Sequence, residues 1–229
     1  MSPPREPSRG PEVTLSGVIE RILWLDEETH FTIAEKNGQA CYSIGSPAPF
    51  MVANALAAIT VARIAGISSQ GIRTGLEAFT PVSGRMNIEQ LPNGIHLIDD
   101  TYNANPASMT QALKTLDLMA KGKKTFAILG DMLELGADSD RLHRQIGHIA
   151  AETTLAHLYL FGEQTAHLLT GAVEKGLSND KIFWGTKQEI GRLVLQQARK
   201  GDWILLKGSR GMAMETIISD MKTQGKKET

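Results

Sequence analysis

The sequence has little that would mark a secreted, membrane-spanning or nucleic-acid-binding protein. Its single cysteine, Cys41, excludes an intrachain disulfide and fits a reducing compartment, so we expect a cytoplasmic protein. No apolar run reaches the ~18 residues of a membrane span, and residues 1–7 lack the apolar region of a signal peptide. The formal net charge of −1 gives no reason to expect a nucleic-acid or anionic-membrane partner.

The phosphate-binding loop G-x-x-x-x-G-K-[ST] is also missing from the sequence. In that loop, backbone N–H groups and a lysine cradle the phosphates of ATP. The nearest match, Lys207-Gly208-Ser209, has no glycine-rich lead-in at the required spacing. We therefore expect no such loop in this chain.

Residues 12–80 combine short strand patterns with two helical patterns. Strands are predicted at 13–15, 19–25, 30–33 and 41–44, and Asn37-Gly38 indicates a hairpin turn. An alanine-rich helix is predicted over 50–65, ended by Gly66, and a shorter one runs from Ser68 or Ser69 to Leu76. We expect this segment to be too small and open to form a domain alone. We expect residues 1–11 to be a flexible leader and 223–229 a flexible tail.

From Gly94 onward the pattern alternates regularly between apolar strands and helices. Strands are predicted at 95–99, 125–130, 156–161, 181–184 and 202–207. Helices are predicted at 106–120, 139–153, 164–175, 187–199 and 211–222. This alternation indicates an α/β domain with a mostly parallel sheet and helices on both faces, and apolar strands fit burial on both sides. We place its boundary at residues 80–83, so that it spans 81–222.

The most informative stretch is DDTYNANP, residues 99–106, which follows the first strand of this domain. Asn105 is a good helix N-cap, and Pro106 stands at the first helical position. Acidic and small polar groups therefore meet at a strand-to-helix corner, which is where open α/β sheets bind ligands. The alternative is a well-capped turn whose carboxylates are simply solvated.

Four other stretches accompany this corner: NALAA at 54–58, VSGRM at 82–86, ILGDMLELG at 128–136 and LKGSR at 206–210. In this order and spacing the set resembles the Mur ligases of peptidoglycan synthesis. The resemblance runs from about residue 13 to residue 221. It implies a Rossmann-like C-terminal Mur ligase domain, preceded at 12–80 by the end of the central ATP-binding domain. The phosphate loop and the metal ligands would then precede residue 1.

The resemblance implies three nucleotide-binding residues. Asn54 matches an asparagine that contacts adenine, Arg85 an arginine that reaches the nucleotide from the linker, and Asp100 an acid at or near the ribose. Without the resemblance, Asn54 could simply be a polar residue at the start of a helix. Arg85 could simply be a surface arginine. The family commonly has histidine four residues before the asparagine, where this chain has Phe50.

The resemblance also implies a surface for the amino substrate. Tyr102, Asn103 and Asn105 match the segment that faces this substrate, and Asp131 with Glu134 could meet its ammonium group or be solvated. Two acids with no histidine in register argue against a metal site there, and His143 fits a satisfied core or surface histidine. Predicted substrate-binding residues after the last strand, where we expect a helix to begin, are Lys207, Ser209 and Arg210.

The family's reaction consumes ATP with Mg²⁺ and proceeds through an acyl phosphate. The stretches are most similar to the member that joins D-alanyl-D-alanine to UDP-N-acetylmuramoyl-tripeptide. These two substrates, and an N-terminal half carrying the phosphate loop, are the expected partners. Because that loop is missing here, a binding module without catalysis and an inactive remnant remain as alternatives.

Overall fold

The computed structural model describes residues 18–25, 28–35, 38–46 and 51–225. Among these, residues 18–45 and 51–79 form one compact unit, and residues 80–225 together with Ser46 form a second. The predicted leader, the strand at 13–15, Asn37, Phe50 and residues 226–229 lie outside the described residues. The assignment of the segments 12–80 and 81–222 to particular domains stays a prediction.

The first unit is a three-stranded antiparallel sheet with two helices. Its strands are β1 Val18–Leu25, β2 Glu28–Glu35 and β3 Gly38–Ile44, in the order β1-β2-β3. Its helices are α1 Met51–Ile64 and α2 Ser69–Glu77, the latter capped by the Ser68 side chain. Alternate residues of β2 and β3 share one buried cluster with these helices, formed by Phe31, Ile33, Tyr42, Ile44, Val52, Ala55, Ile59, Ile72 and Leu76.

The second unit is built on a six-stranded sheet in the order β4-β5-β9-β6-β7-β8. Five strands are parallel: β5 His96–Asp100, β6 Thr125–Gly130, β7 His157–Phe161, β8 Ile182–Trp184 and β9 Trp203–Lys207. The α/β fold with a mostly parallel sheet is thus confirmed. The antiparallel edge strand β4 Asn87–Gln90 was not predicted, because its four residues are too few for a clear alternation.

Five helices cover the two faces of this sheet. They are α3 Pro106–Ala120, α4 Ser139–Glu152, α5 Thr165–Glu174, α6 Lys187–Gln197 and α7 Glu215–Gly225. Helices α6 and α7 bury one face in a cluster with Leu97, Phe126 and Ile204, and α3 and α5 contact the sheet as well. No helix in the described part of the chain is long and apolar enough to cross a membrane.

The prediction of a helix from residue 211 is wrong at its start. A 3-10 turn occupies Arg210–Met212, and α7 begins only at Glu215. Ala213 between them has a positive φ of 45°, a left-handed conformation that interrupts α-helical hydrogen bonding. Beyond Lys222, where the predicted helix ended, α7 continues to Gly225, inside the predicted tail.

Helices α4 and α5 approach each other through two glycines. A Cβ on Gly147 would lie 2.0 Å from the carbonyl oxygen of Leu168, and one on Gly171 would lie 2.1 Å from that of Arg144. Real side chains do not reach such distances, so the two backbones could not lie this close with any larger residue. This crossing packs α4 closely against α5.

We expect Gly147→Ala to lower the free energy of unfolding by ~1–3 kcal/mol, because the two helices must separate to admit one methyl group. Urea unfolding followed by circular dichroism measures the change. Gly191→Ala in α6 is the control: its Cβ would lie 3.6 Å from Ile217, an ordinary contact, and alanine favours a helix over glycine by ~1 kcal/mol. Equal stability of the two variants would contradict the close crossing.

Candidate functional site

Three neighbouring strands end together on one edge of the second unit's sheet. β9 lies between β5 and β6, so that Asp100 is opposite Lys207 and Lys207 is opposite Leu129. Asp131 follows β6 directly. The carboxyl ends of parallel strands in such sheets form ligand-binding crevices, and the predicted corner at 99–106 lies at this edge.

A buried ion pair joins two of these strand ends. The Lys207 ammonium is 2.5 Å from Asp100 Oδ2 and also donates to the Asn103 carbonyl oxygen at 2.8 Å. Its side chain is 2% exposed. Asp100 Oδ1 accepts from the backbone N–H of Met86 at 3.2 Å. Burial raises the pKa of the Asp100 carboxyl, and the positive charge of Lys207 opposes that rise.

Local hydrogen bonds shape the corner that follows Asp100. Asp99 Oδ1 accepts from both the backbone N–H and the hydroxyl of Thr101, so this acid holds the turn. Asn105 caps α3 by accepting from the Ser108 N–H at 2.8 Å, and the Ser108 hydroxyl accepts in return from the Asn105 N–H. The predicted cap at Asn105 and the helix start at Pro106 are confirmed.

Asp131 anchors the start of α5. Its Oδ1 accepts from the Thr165 N–H at 2.9 Å, a favourable place for a carboxylate because the first N–H groups of a helix are unpaired. Gly162 has a φ of +117°, and a Cβ there would lie 2.4 Å from the Asp131 carboxyl carbon. The carboxylate is therefore enclosed, with 6% of the residue exposed.

His143 is a satisfied core histidine. It is fully buried in α4, where Nε2 accepts from the Met132 N–H at 2.9 Å and Nδ1 lies 2.8 Å from the Ser139 carbonyl oxygen. These contacts require the neutral tautomer with its proton on Nδ1. No partner for this histidine was predicted, and the structure shows that it holds the loop after β6.

The loop after β6 is held on its other side by Ser209. The Ser209 hydroxyl accepts from the Leu133 N–H at 2.8 Å, and the Ser209 N–H donates to the Asp131 carbonyl oxygen at 3.0 Å. Glu134 follows with a φ of 64°, which turns the chain back over the surface. The loops after β6 and β9 are thus locked together.

A pocket of about 410 Å³ lies between the corner and these two loops. It brings together five residues predicted to bind substrate: Tyr102, Asn103, Asn105, Ser209 and Arg210. Glu134, a candidate for contact with the ammonium group, also lines it, together with Ala104, Leu133, Leu135 and Gly211. The predicted residues Asp131 and Lys207 do not line it, because protein groups enclose and partner both. Leu133 and Leu135 were not predicted as site residues. The signal that could have found them is that both are apolar residues in a turn that follows a strand.

Arg85 reaches the rim of this site from the segment 82–86. Its guanidinium lies 4.1 Å from the centre of the Tyr102 ring, a cation–π contact. Gly84, with a φ of +74°, brings the segment close enough for its carbonyl oxygen to accept from the Tyr102 N–H at 2.9 Å. The sequence predicted Arg85 as a candidate but not this contact, which joins residues far apart in the chain.

The third nucleotide candidate, Asn54, belongs to the first unit. It is exposed on α1, and its amide nitrogen lies 3.3 Å from Met51 Sδ. Arg85 and Asp100 belong to the second unit, so the roles of all three at a nucleotide stay predictions. Within residues 18–25, 28–35, 38–46 and 51–225, no group of three or more His, Cys, Asp or Glu residues is arranged to hold a metal ion.

Residues 84–210 match the family model of the Mur ligase glutamate ligase domain. This match covers more than half of the chain, and the chain belongs to the Mur ligase family. The match includes the corner, the loop after β6 and the loop after β9.

Two similar relatives are ligases with the same protein name. The UDP-N-acetylmuramoyl-tripeptide--D-alanyl-D-alanine ligase of Bacillus subtilis (strain 168) is 32% identical over 204 residues, which are 89% of this chain and 44% of that protein. The Escherichia coli (strain K12) protein of the same name is 32% identical over 86% of this chain and 42% of its own length. The chain therefore spans less than half the length of these relatives.

Solved structures agree with this assignment. A crystal structure of MurF from Acinetobacter baumannii has a TM-score of 0.78 and 31% identity, covering 90% of this chain and 45% of that one. The MurF ligase of Thermotoga maritima in complex with ADP has a TM-score of 0.77, and at 22% identity it supports the fold alone.

We expect Lys207→Met to lower the free energy of unfolding by ~3–5 kcal/mol, because it leaves the Asp100 carboxylate buried without its counter-charge. The double variant Lys207→Met with Asp100→Asn should recover part of this loss, since no buried charge remains. Urea unfolding of the wild type, both single variants and the double variant measures the coupling. Strictly additive losses would contradict the ion pair.

The deficit of Lys207→Met should also depend on pH. Without Lys207 the pKa of Asp100 rises further, and a carboxyl whose pKa is higher in the folded state contributes stability that is lost as pH rises through that pKa. We therefore expect a smaller deficit near ~pH 5 than near ~pH 8, measured by urea unfolding at both values. The same deficit at both would show that Asp100 does not titrate there.

Proposed function

We propose that this chain provides the amino-substrate surface of an ATP-dependent ligase that joins D-alanyl-D-alanine to UDP-N-acetylmuramoyl-tripeptide in peptidoglycan synthesis. The names of the relatives support the choice of substrates. The pocket at the carboxyl ends of the strands supports the location of the binding surface. A cytoplasmic location belongs to the same proposal, as does the resulting role in cell shape and division. The single cysteine fits this location.

The observation that carries the proposal is the charge distribution of the pocket. The lining includes the Arg210 guanidinium, which is paired with Glu215 at 2.8 Å, and the Glu134 carboxylate. The amide nitrogens of Asn103 and Asn105 can donate, while their oxygens accept from the N–H groups of Ala104 and Ser108. A free dipeptide has a carboxylate at one end and an ammonium at the other. Groups of both signs in one pocket of about 410 Å³ match such a ligand.

Arg85 is the strongest nucleotide candidate in the second unit. It is exposed, and a guanidinium can bind two phosphate oxygens at once. ATP with Mg²⁺ would supply the phosphoryl group that activates the tripeptide carboxylate. Asp100 has both oxygens engaged by Lys207 and Met86, so its part would be to position the corner beside the nucleotide. Asn54 would contribute adenine contacts from the first unit.

A non-catalytic binding module is the second candidate. The observation that favours it is the missing G-x-x-x-x-G-K-[ST] motif, without which this chain has no P-loop for the ATP phosphates. Such a module would bind the dipeptide or a nucleotide and release no ADP under any condition.

ADP release separates these candidates. Purified chain would be mixed with UDP-N-acetylmuramoyl-tripeptide, D-alanyl-D-alanine and Mg-ATP, with and without a separately made N-terminal half that carries the P-loop. We expect release only in the complete mixture. Release by the chain alone would contradict the assigned division of roles, and none in either, with a folded chain, would favour the binding module.

Arg210→Ala should weaken D-alanyl-D-alanine binding by ~10–100-fold, because a hydrogen bond to a charged group contributes ~1.5–3 kcal/mol. Titration calorimetry measures the affinity. Arg141→Ala is a matched control, since Arg141 and Arg210 are both 65% exposed and both paired with an acid. We expect no change in Arg141→Ala. Equal affinities of the two variants would remove Arg210 from the site.

A further inference from the structure

Leu133 is an apolar side chain placed at the wall of a polar pocket. It is 42% exposed and lines the pocket together with Leu135. A single exposed leucine is ordinary on a protein surface. This one differs because its backbone is fixed by contacts from other elements and its side chain lies against a glycine of the opposite loop.

The backbone around Leu133 is held on both sides. Its own N–H donates to the Ser209 hydroxyl at 2.8 Å, and the preceding N–H, of Met132, donates to buried His143 at 2.9 Å. The left-handed Glu134 follows. With the backbone held by the turn after β9 and by α4, the leucine side chain has a defined position in the pocket wall.

Gly211 provides the space that the Leu133 side chain occupies. A Cβ on Gly211 would lie 2.8 Å from Leu133 Cδ1, so that any larger residue would displace the end of the leucine. Leu133 therefore spans from its own loop to the turn after β9. It forms an apolar boundary beside groups that would bind both charged ends of a dipeptide.

We propose that Leu133, seated against Gly211, determines specificity by limiting the substrate side chain beside it to about the size of a methyl group. The inference rests on the proposed function. With a carboxylate and an ammonium held by polar groups, the side chains of a short dipeptide have to face the remaining walls. An apolar wall discriminates by size. A branched substrate side chain must either displace Leu133 or move the dipeptide's carboxylate and ammonium away from the polar groups that bind them.

The test compares three dipeptides: D-alanyl-D-alanine, D-alanyl-D-valine and D-valyl-D-alanine. Titration calorimetry on the full chain gives the affinity of each for wild type and for Leu133→Ala. We expect wild type to prefer D-alanyl-D-alanine. In Leu133→Ala, one of the valine dipeptides should gain about tenfold relative to D-alanyl-D-alanine, since one or two methyl groups in an apolar site account for at least that factor.

Leu118→Ala is the matched control, because Leu118 is 50% exposed on α3 and lines no part of the pocket. It should leave all three affinities unchanged. Gly211→Ala should weaken D-alanyl-D-alanine by displacing Leu133, and adding Leu133→Ala should restore affinity because the clashing atom is gone. Thermal unfolding of each variant shows that it is folded.

The outcomes separate the inference from the proposed function. Binding of D-alanyl-D-alanine with the same selectivity in wild type and Leu133→Ala would overturn the inference and leave the proposed function standing. No binding of any dipeptide by the folded wild type or Leu133→Ala would overturn both. A selectivity change of equal size in Leu118→Ala would also overturn the inference.

Discussion

The buried ion pair between Asp100 and Lys207 is the constraint on which the candidate site depends. Two charges removed from water must be compensated locally, and their partners here are the Met86 N–H and the Asn103 carbonyl oxygen. These groups come from the segment before β4, from the corner after β5 and from the end of β9. Satisfying one pair of charges therefore fixes the relative positions of three parts of the chain, and the corner that forms one wall of the pocket follows from those positions.

The pocket is formed by turns, yet those turns are fixed by groups within the fold. His143 and Ser209 hold the loop after β6 through its backbone N–H groups, and Asp131 is enclosed at the start of α5. None of these contacts leaves a side chain free to move toward a ligand. The side chains that line the pocket include Tyr102, Asn103, Glu134, Arg210 and two leucines, and Ser209 both lines the pocket and holds the loop. Lining residues backed by such fixed contacts are what a preorganised binding site needs.

Much of the second unit's secondary structure was predictable from local pattern. Fully buried strands read as apolar runs, and helix α3 carried both its cap and its N-terminal proline in sequence. Where prediction failed, local signals were weak or were overridden. β4 is only four residues long and exists because β5 offers it an edge. The start of α7 shifted because Ala213 adopts a left-handed conformation, which nothing in its residue type announces.

The sequence by itself determined the family, the class of fold and the kinds of side chain gathered at the strand ends. Those depend on periodicity, on capping residues and on short motifs, all of which are local. Only the tertiary structure decided which of these polar residues line the pocket and which face one another. Asp100, Asp131 and Lys207 are enclosed and paired, whereas Tyr102, Asn105 and Arg210 line the pocket. The physical reason is that burial and charge compensation arise from strands that are adjacent in the sheet but distant in the chain.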